Sequence, residues 1–177
     1  MSAIPLFPLS IVLFPEGPLP LRIFEPRYVD MVGRCMREGG GFGVVFDLAS
    51  DVGTLAKITD FDQLPDGLLG LSCVGQQRFR ILRRSRQPDG LNVGEVQWID
   101  PEPPTALPPR HARLAELLKS VLPQLGEVYG GIPMRLDDAA WVGNRLAEIL
   151  PLPPAEKQTY LEMEDPVARL DLLAPLA

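Results

Sequence analysis

The run Leu68-Leu69-Gly70-Leu71-Ser72-Cys73-Val74-Gly75-Gln76-Gln77-Arg78-Phe79-Arg80-Ile81 decides how the first half of the chain folds. It is long and extended in character, and two turn signals bracket it: Pro65-Asp66-Gly67 before and Pro88-Asp89-Gly90 after. Proline presets one turn position and glycine supplies the positive φ that ends the turn. Strand-like runs lie beyond both signals. Gly53 to Phe61 precedes the first, with Leu55, Ile58 and Phe61 apolar, and Leu91 to Ile99 follows the second. Three such runs joined by two tight turns predict an antiparallel meander. Gly75, inside the central run, marks a bulge or bend.

Upstream, Phe42 to Leu48 is a compact β-rich stretch, and Leu19 to Phe24 is a second short extended segment. The first residues, Ile4 to Pro15, are apolar but carry prolines at 5, 8 and 15. Proline cannot donate to a ladder, so a strand there is expected at an edge or as a short piece between residues 9 and 14. The tally is about six strands, enough to curl into a small barrel. One helix interrupts them. Pro26 suits its first position, and Glu25 places a carboxylate at its positive end. Tyr28, Met31, Val32, Cys35 and Met36 fall on one face. Gly39-Gly40-Gly41 stops it.

Residues 101–109 hold five prolines in nine, which reads as a semi-rigid linker or extended brace. The division expected is 1–105 for the β-rich part and 106–177 for a bundle of three or four helices. Leu114, Leu117, Leu118, Val121, Leu122 and Leu125 repeat at helix spacing. Asp137-Asp138 can cap a helix carrying Val142, Leu146, Ile149 and Leu150. Pro154 opens another, through Met163, and Asp165-Pro166 is a cap and first position for the last.

Composition excludes several functions. The 177 residues carry 17 basic and 23 acidic side chains, a net charge of −6. Neither half has the positive excess that drives nonspecific phosphate binding, and attraction to an anionic membrane surface is disfavoured alike. No window approaches the length of apolar residues that a membrane span needs. The N-terminus has no basic region and several prolines, so a signal peptide is not expected and the chain reads as cytoplasmic. Cys35 and Cys73 read as reduced, buried thiols. His111, the one histidine, reads as a lone surface residue with no ligand partners at metal spacing. No phosphate loop, nucleophile elbow or dinucleotide fingerprint is present, so neither a metal nor a cofactor is expected.

One basic cluster stands out: Arg78, Arg80, Arg83, Arg84 and Arg86. On a regular strand Arg78, Arg80, Arg84 and Arg86 share one face, with Phe79 and Ile81 on the other. That face is either an RNA contact or a solvated outer wall, and the acidic chain favours the wall.

Many short motifs fall in one register. Ile4-Pro5-Leu6-Phe7-Pro8-Leu9, Val12-Leu13-Phe14-Pro15 and Leu19-Pro20-Leu21-Arg22-Ile23-Phe24-Glu25-Pro26-Arg27-Tyr28 come first. Phe42-Gly43-Val44-Val45, Leu64-Pro65-Asp66-Gly67 and Arg78-Phe79-Arg80-Ile81 follow, then Leu150-Pro151-Leu152, Lys157-Gln158 and Asp165-Pro166. In this order, over nearly the whole chain, they resemble the N-terminal, substrate-binding domain of Lon protease. The resemblance implies an α+β fold: a PUA-like β pseudo-barrel, then a helical bundle. It also implies a non-catalytic protein that binds unfolded or degron-bearing polypeptides, with a protease or chaperone as a further partner. The chain ends at Ala177 without Lon's ATPase and peptidase signatures, so a free-standing domain with no catalytic residues is expected. Arg22, Phe24 and Arg27, with Phe14, are the residues that could line a peptide groove. The competing reading makes Arg22, Glu25 and Arg27 ion pairs that fix the strand-to-helix corner. Prolines along the N-terminal edge argue against simple strand addition.

Overall fold

Both proline-aspartate-glycine turns form, and with the same geometry. In the computed structural model, which describes residues 2–177, Gly67 donates its N–H to the Leu64 carbonyl at 2.9 Å and Gly90 donates to that of Gln87 at 2.9 Å. Leu64 and Gln87 close the loops by donating to Leu68 and Leu91. The glycines have φ of 83° and 90°, which side-chain-bearing residues rarely adopt. The Asp66 and Asp89 carboxylates accept from the N–H groups of Leu68 and Leu91 at 3.1 and 3.0 Å. These turns join β4 (Val52–Gln63), β5 (Leu69–Arg86) and β6 (Asn92–Trp98) into the expected meander.

The remaining strands are β1 (Ser2–Pro8), β2 (Pro18–Ile23) and β3 (Phe42–Val45). The sheet order is β2-β5-β4-β3-β1-β6. The long β5 pairs with β2 along its first third and with β6 along its last, so β5, β4, β3, β1 and β6 close into a partial ring with β2 outside it.

Here the expectation for the first residues needs correction. The strand runs through the prolines, from residue 2 to 8, and has neighbours on both sides. The pairing is staggered: β6 runs antiparallel to Ser2–Leu6 and β3 parallel to Leu6–Pro8, so only Leu6 has both neighbours. Pro5 and Pro8 each have a strand on one side only, so a missing N–H is tolerated. Residues 9–14 are not a strand but a crossing segment. Thr54, fully buried, donates its hydroxyl to the Leu13 carbonyl at 2.7 Å. A Cβ on Gly75 would lie 2.1 Å from the Phe14 carbonyl oxygen, so only glycine lets the two backbones meet there.

Alternation along the strands builds two apolar clusters. Ile4, Leu6, Val45, Phe79, Ile81 and Val96 form one. Phe7, Phe42, Val44, Leu71 and Cys73 turn the other way and meet helix α1 (Pro26–Glu38). The helix buries Tyr28, Met31, Val32 and Cys35, and ends at Gly39 in the left-handed conformation. Tyr28 stacks on Phe7, ring centroids 4.2 Å apart. Met36, at the end of that face, stays exposed.

Two compact units result, Met1–Asp100 and Pro101–Ala177. The second holds α2 (Ala112–Val121), α3 (Ala139–Ile149), α4 (Pro154–Glu162) and α5 (Pro166–Leu173). Asp165 caps α5, accepting from the N–H groups of Val167 and Ala168 at 2.9 and 3.2 Å. Asp138 precedes α3 but its carboxylate does not cap it; it accepts from Thr105 N–H and Arg135 instead. No helix among the described residues is long and apolar enough to cross a membrane.

Candidate functional site

The meander's first hairpin extends past the core. From Lys57 onward β4 loses its alternation: residues 57–63 are exposed or half-buried at both parities. Thr59 is an extra residue in the ladder, so Ile58 faces Cys73 while Phe61 faces Leu71. This bulge turns Phe61 toward the side that α1 covers, but at the far end of it. Leu71 is buried; Phe61 remains 55% exposed.

Phe61 stands between two open grooves that share it and Asp60. One, of about 470 Å³, is lined by Leu21, Arg22, Asp62 and Leu64 among others. The other, of about 350 Å³, runs under Met36 and Ile58 beside Lys57. Leu21, Leu64, Leu71, Met36 and Ile58 give the walls apolar surface, interleaved with the charges of Arg22, Asp60, Asp62 and Lys57. β2 borders the first groove. Its outer edge has no strand partner among the described residues, but Pro18 and Pro20 leave it short of N–H donors. That edge is poorly suited to adding a ligand strand.

The residues singled out from sequence are divided by the structure. Arg22 lines the first groove, is 72% exposed, and lies 3.9 Å from Asp66. Phe24, just past β2, is 68% exposed. Arg27 is held in the fold: it donates to the Gly90 carbonyl at 2.9 Å, pairs with Glu25 at 3.4 Å and covers the Tyr28 ring. It ties the start of α1 to the β5–β6 turn; of the ion pairs in the corner reading, Arg27 with Glu25 forms, while Arg22 faces Asp66 instead. Phe14 is completely buried and offers a ligand no surface. From sequence Phe61 reads only as one apolar residue of a strand, and alternation from Ile58 puts it on the face opposite to the one the bulge gives it. The polar run around it, Thr59-Asp60 and Asp62-Gln63, was the available signal.

The arginine face does not exist as expected. Leu82 is a bulge in β5, so the alternation reverses after Ile81. Arg80 and Arg83 pair with Gln97 and Glu95 on one side; Arg84 and Arg86 pair with Gly94 and Asn92 on the other. Arg78 is buried. Arg84 binds the Ser50 carbonyl and Asp51, and Arg86 donates to the Gly90 carbonyl at 3.1 Å. An arginine cluster split by a bulge and engaged by its own fold is a weak nucleic-acid surface.

His111 also departs from expectation. It is buried, with Nε2 2.6 Å from the Asp171 carboxylate, to whose two oxygens Arg110 donates from Nη2 at 3.0 Å each. The histidine bond, then the arginine, holds the Asp171 carboxyl below its ordinary range. The partner lies sixty residues away, beyond any local signal. Cys35 and Cys73 are free and buried. Burial pushes both thiols up, Cys73 to about 12, which keeps them protonated and poor nucleophiles. Among the described residues no group of three His, Cys, Asp or Glu side chains is placed to hold a metal ion.

Comparison with known proteins gives a consistent picture. The family profile of the ATP-dependent protease La (LON) substrate-binding domain matches residues 3–176. A Lon N-terminal domain protein from Xanthomonas campestris superposes with a TM-score of 0.84 at 41% identity, covering 99% of this chain and 98% of that one. The N-terminal domain of a Mycobacterium avium complex Lon protease shares the fold, with a TM-score of 0.70 at 18% identity over 99% and 97% of the two chains. Lon protease of Paraburkholderia phytofirmans is 29% identical over 96% of this chain, and protein cereblon of Gallus gallus 30% identical over 55% of it. The chain spans about a quarter of the length of each of these last two relatives (24% of both).

Proposed function

This chain belongs to the substrate-binding domain family of the ATP-dependent protease La (Lon), and we propose on that premise that its β-rich unit binds unfolded polypeptide along the paired grooves around Phe61. One observation carries the reading: a phenylalanine 55% exposed, where two grooves with apolar surface meet. An extended chain laid across it would bury Phe61, Leu21, Leu64 and Met36. Each such side chain contributes about 1–2 kcal/mol when partly exposed to begin with. A few of them give weak, sequence-tolerant binding, which suits a protein that meets many unfolded chains. The proline-blunted edge of β2 favours side-chain contacts over backbone addition. Arg22 and Phe24 extend the surface past β2.

In this reading the chain binds and does not catalyse. The thiols held protonated and the histidine locked to a carboxylate support that. Polypeptides bearing degradation signals are the ligands implied, with a protease or chaperone receiving them.

The test is fluorescence anisotropy of a reduced and alkylated, permanently unfolded protein titrated with this chain. Binding in the micromolar range is expected, weakened about tenfold by F61D. R84Q/R86Q is expected to leave it unchanged. Absence of binding at high micromolar concentration, or indifference to F61D, overturns the proposal.

A further inference from the structure

A separate pocket of about 490 Å³ opens between the start of β1, the last turn of α1 and β6. Ile4, Leu55, Val93 and Trp98 form its apolar wall. The wall is fixed. Trp98 donates its indole N–H to the Ser2 hydroxyl at 3.2 Å, and its ring meets Phe79 edge-on at 6.2 Å. Across from it are three polar side chains: Arg34 and Glu38 on α1, and Gln87 beside the β5–β6 turn.

Nothing among the described residues makes a hydrogen bond or ion pair to these three side chains. In this unit the arginines at 22, 27, 83, 84 and 86 are engaged by their own fold, while Arg37 and Arg80, like Arg34, are not. Arg34 and Glu38 are one helical turn apart, so their Cβ atoms lie about 5–6 Å from each other. They are close enough to pair across the turn, and yet do not. Both act electrostatically on the Cys35 thiol at the pocket floor, Arg34 pulling its pKa down and Glu38 pushing it up. A cation and an anion thus border one apolar cavity, with a neutral amide beside them. Glu38 also sits at the C-terminal end of α1, where free carbonyls favour a cation.

We infer that this pocket binds a free α-amino acid with an apolar side chain. Such a molecule carries a carboxylate and an ammonium on one carbon, next to an apolar group. The carboxylate would meet Arg34 and the Gln87 amide, the ammonium Glu38 and the helix carbonyls, and the side chain the wall of Trp98 and Leu55. The volume fits one residue-sized ligand. This site shares no lining residue with the first Phe61 groove and touches the second only at Cys35 and Gly40; none of its polar groups or its tryptophan belongs to either, so its test is separate from that of polypeptide binding.

The probe is L-phenylalanine, titrated against the full chain by calorimetry and by NMR of the Trp98 indole. N-acetylphenylalanine removes the ammonium and phenylalanine amide removes the carboxylate. Binding of the free amino acid is expected with a Kd near or below about 1 mM, and about tenfold weaker for either blocked form. E38Q is expected to erase the difference between phenylalanine and its acetylated form, and R34Q that between phenylalanine and its amide. Glu38 is exposed and Arg34 half-buried with no hydrogen bond or ion pair to lose, so neither change threatens the fold. Equal binding of all three compounds overturns the zwitterion assignment. So does no binding at about 10 mM, or shifts confined to signals other than those lining the pocket.

Discussion

Glu148 illustrates how much a single buried group can decide. It lies in α3 with Arg145 as its ion-pair partner, Tyr129 donating a hydroxyl hydrogen bond, and Lys157 reaching its carbonyl at 2.6 Å. Burial raises the carboxyl to about 7 from an ordinary 4.5, against the pull of Arg145. Between those two values the unfolded chain has released the proton while the folded chain keeps it. Stability therefore falls as pH rises from about 4.5 to about 7, then levels off. Asp171 works in the opposite sense and elsewhere: its lowered pKa contributes stability that is lost only below its ordinary 3.8. Thermal melts of the helical signal across this range should show the decline in the native chain and a flatter profile in E148Q. An unchanged pH profile in E148Q would assign the decline to another group. Gly75 makes a second residue-scale case. The Cβ of G75A would stand 2.1 Å from a backbone oxygen that no rotamer can move. A loss of about 3 kcal/mol is expected by denaturant unfolding, the upper range for overpacking.

At the scale of elements, the helix ends separate two aspartates that look alike in sequence. Asp165 caps α5 through two N–H groups, so D165A should cost about 1 kcal/mol, with D165N close to neutral. Asp138 stands in the corresponding place before α3 but serves Thr105 and Arg135. Chemical denaturation of D138A and D138N separates the roles: asparagine keeps an acceptor for Thr105 but loses the Arg135 ion pair, so it should rescue less there than at 165. The same limit governs what could be read of the strands. Local turn chemistry made both hairpins and helix α1 legible, because proline, aspartate and glycine act within four residues. The bulges at Thr59 and Leu82 were not legible, since each arises from pairing with a distant strand. Each bulge reverses which face its strand presents. That is why the arginine face dissolved, and why alternation counted from Ile58 puts Phe61, the residue that best marks the groove, on the wrong face. Candidate sites inferred from alternation alone are least secure at the ends of long strands, where a bulge costs little burial.

For the whole molecule, the proline-rich stretch after β6 carries the organisation of the second unit. As sequence it reads equally as a linker and as a brace. In the fold, Glu102 pairs with the buried Arg169 of α5 at 2.5 Å, and Arg169 also donates to the carbonyls of Tyr160 and Met163. Ala106 bridges to Asp138, the Leu107 N–H reaches the Asp137 carbonyl at 2.9 Å, and the Ala139 N–H reaches that of Thr105 at 2.8 Å. Prolines suit such a segment: they lower the entropy of the unfolded chain, and its backbone needs few donors. Removing one partner of a buried pair is costly because the other charge remains buried. E102A in the full chain should therefore destabilise the helical unit by about 3 kcal/mol, at the lower end because two carbonyls still hold Arg169. A fragment starting at residue 101 should then melt well above one starting at residue 106, which lacks Glu102 and Thr105. Circular dichroism of the two fragments checks this. Equal melting temperatures would make the stretch a linker, and move the start of the helical unit to the residues after it.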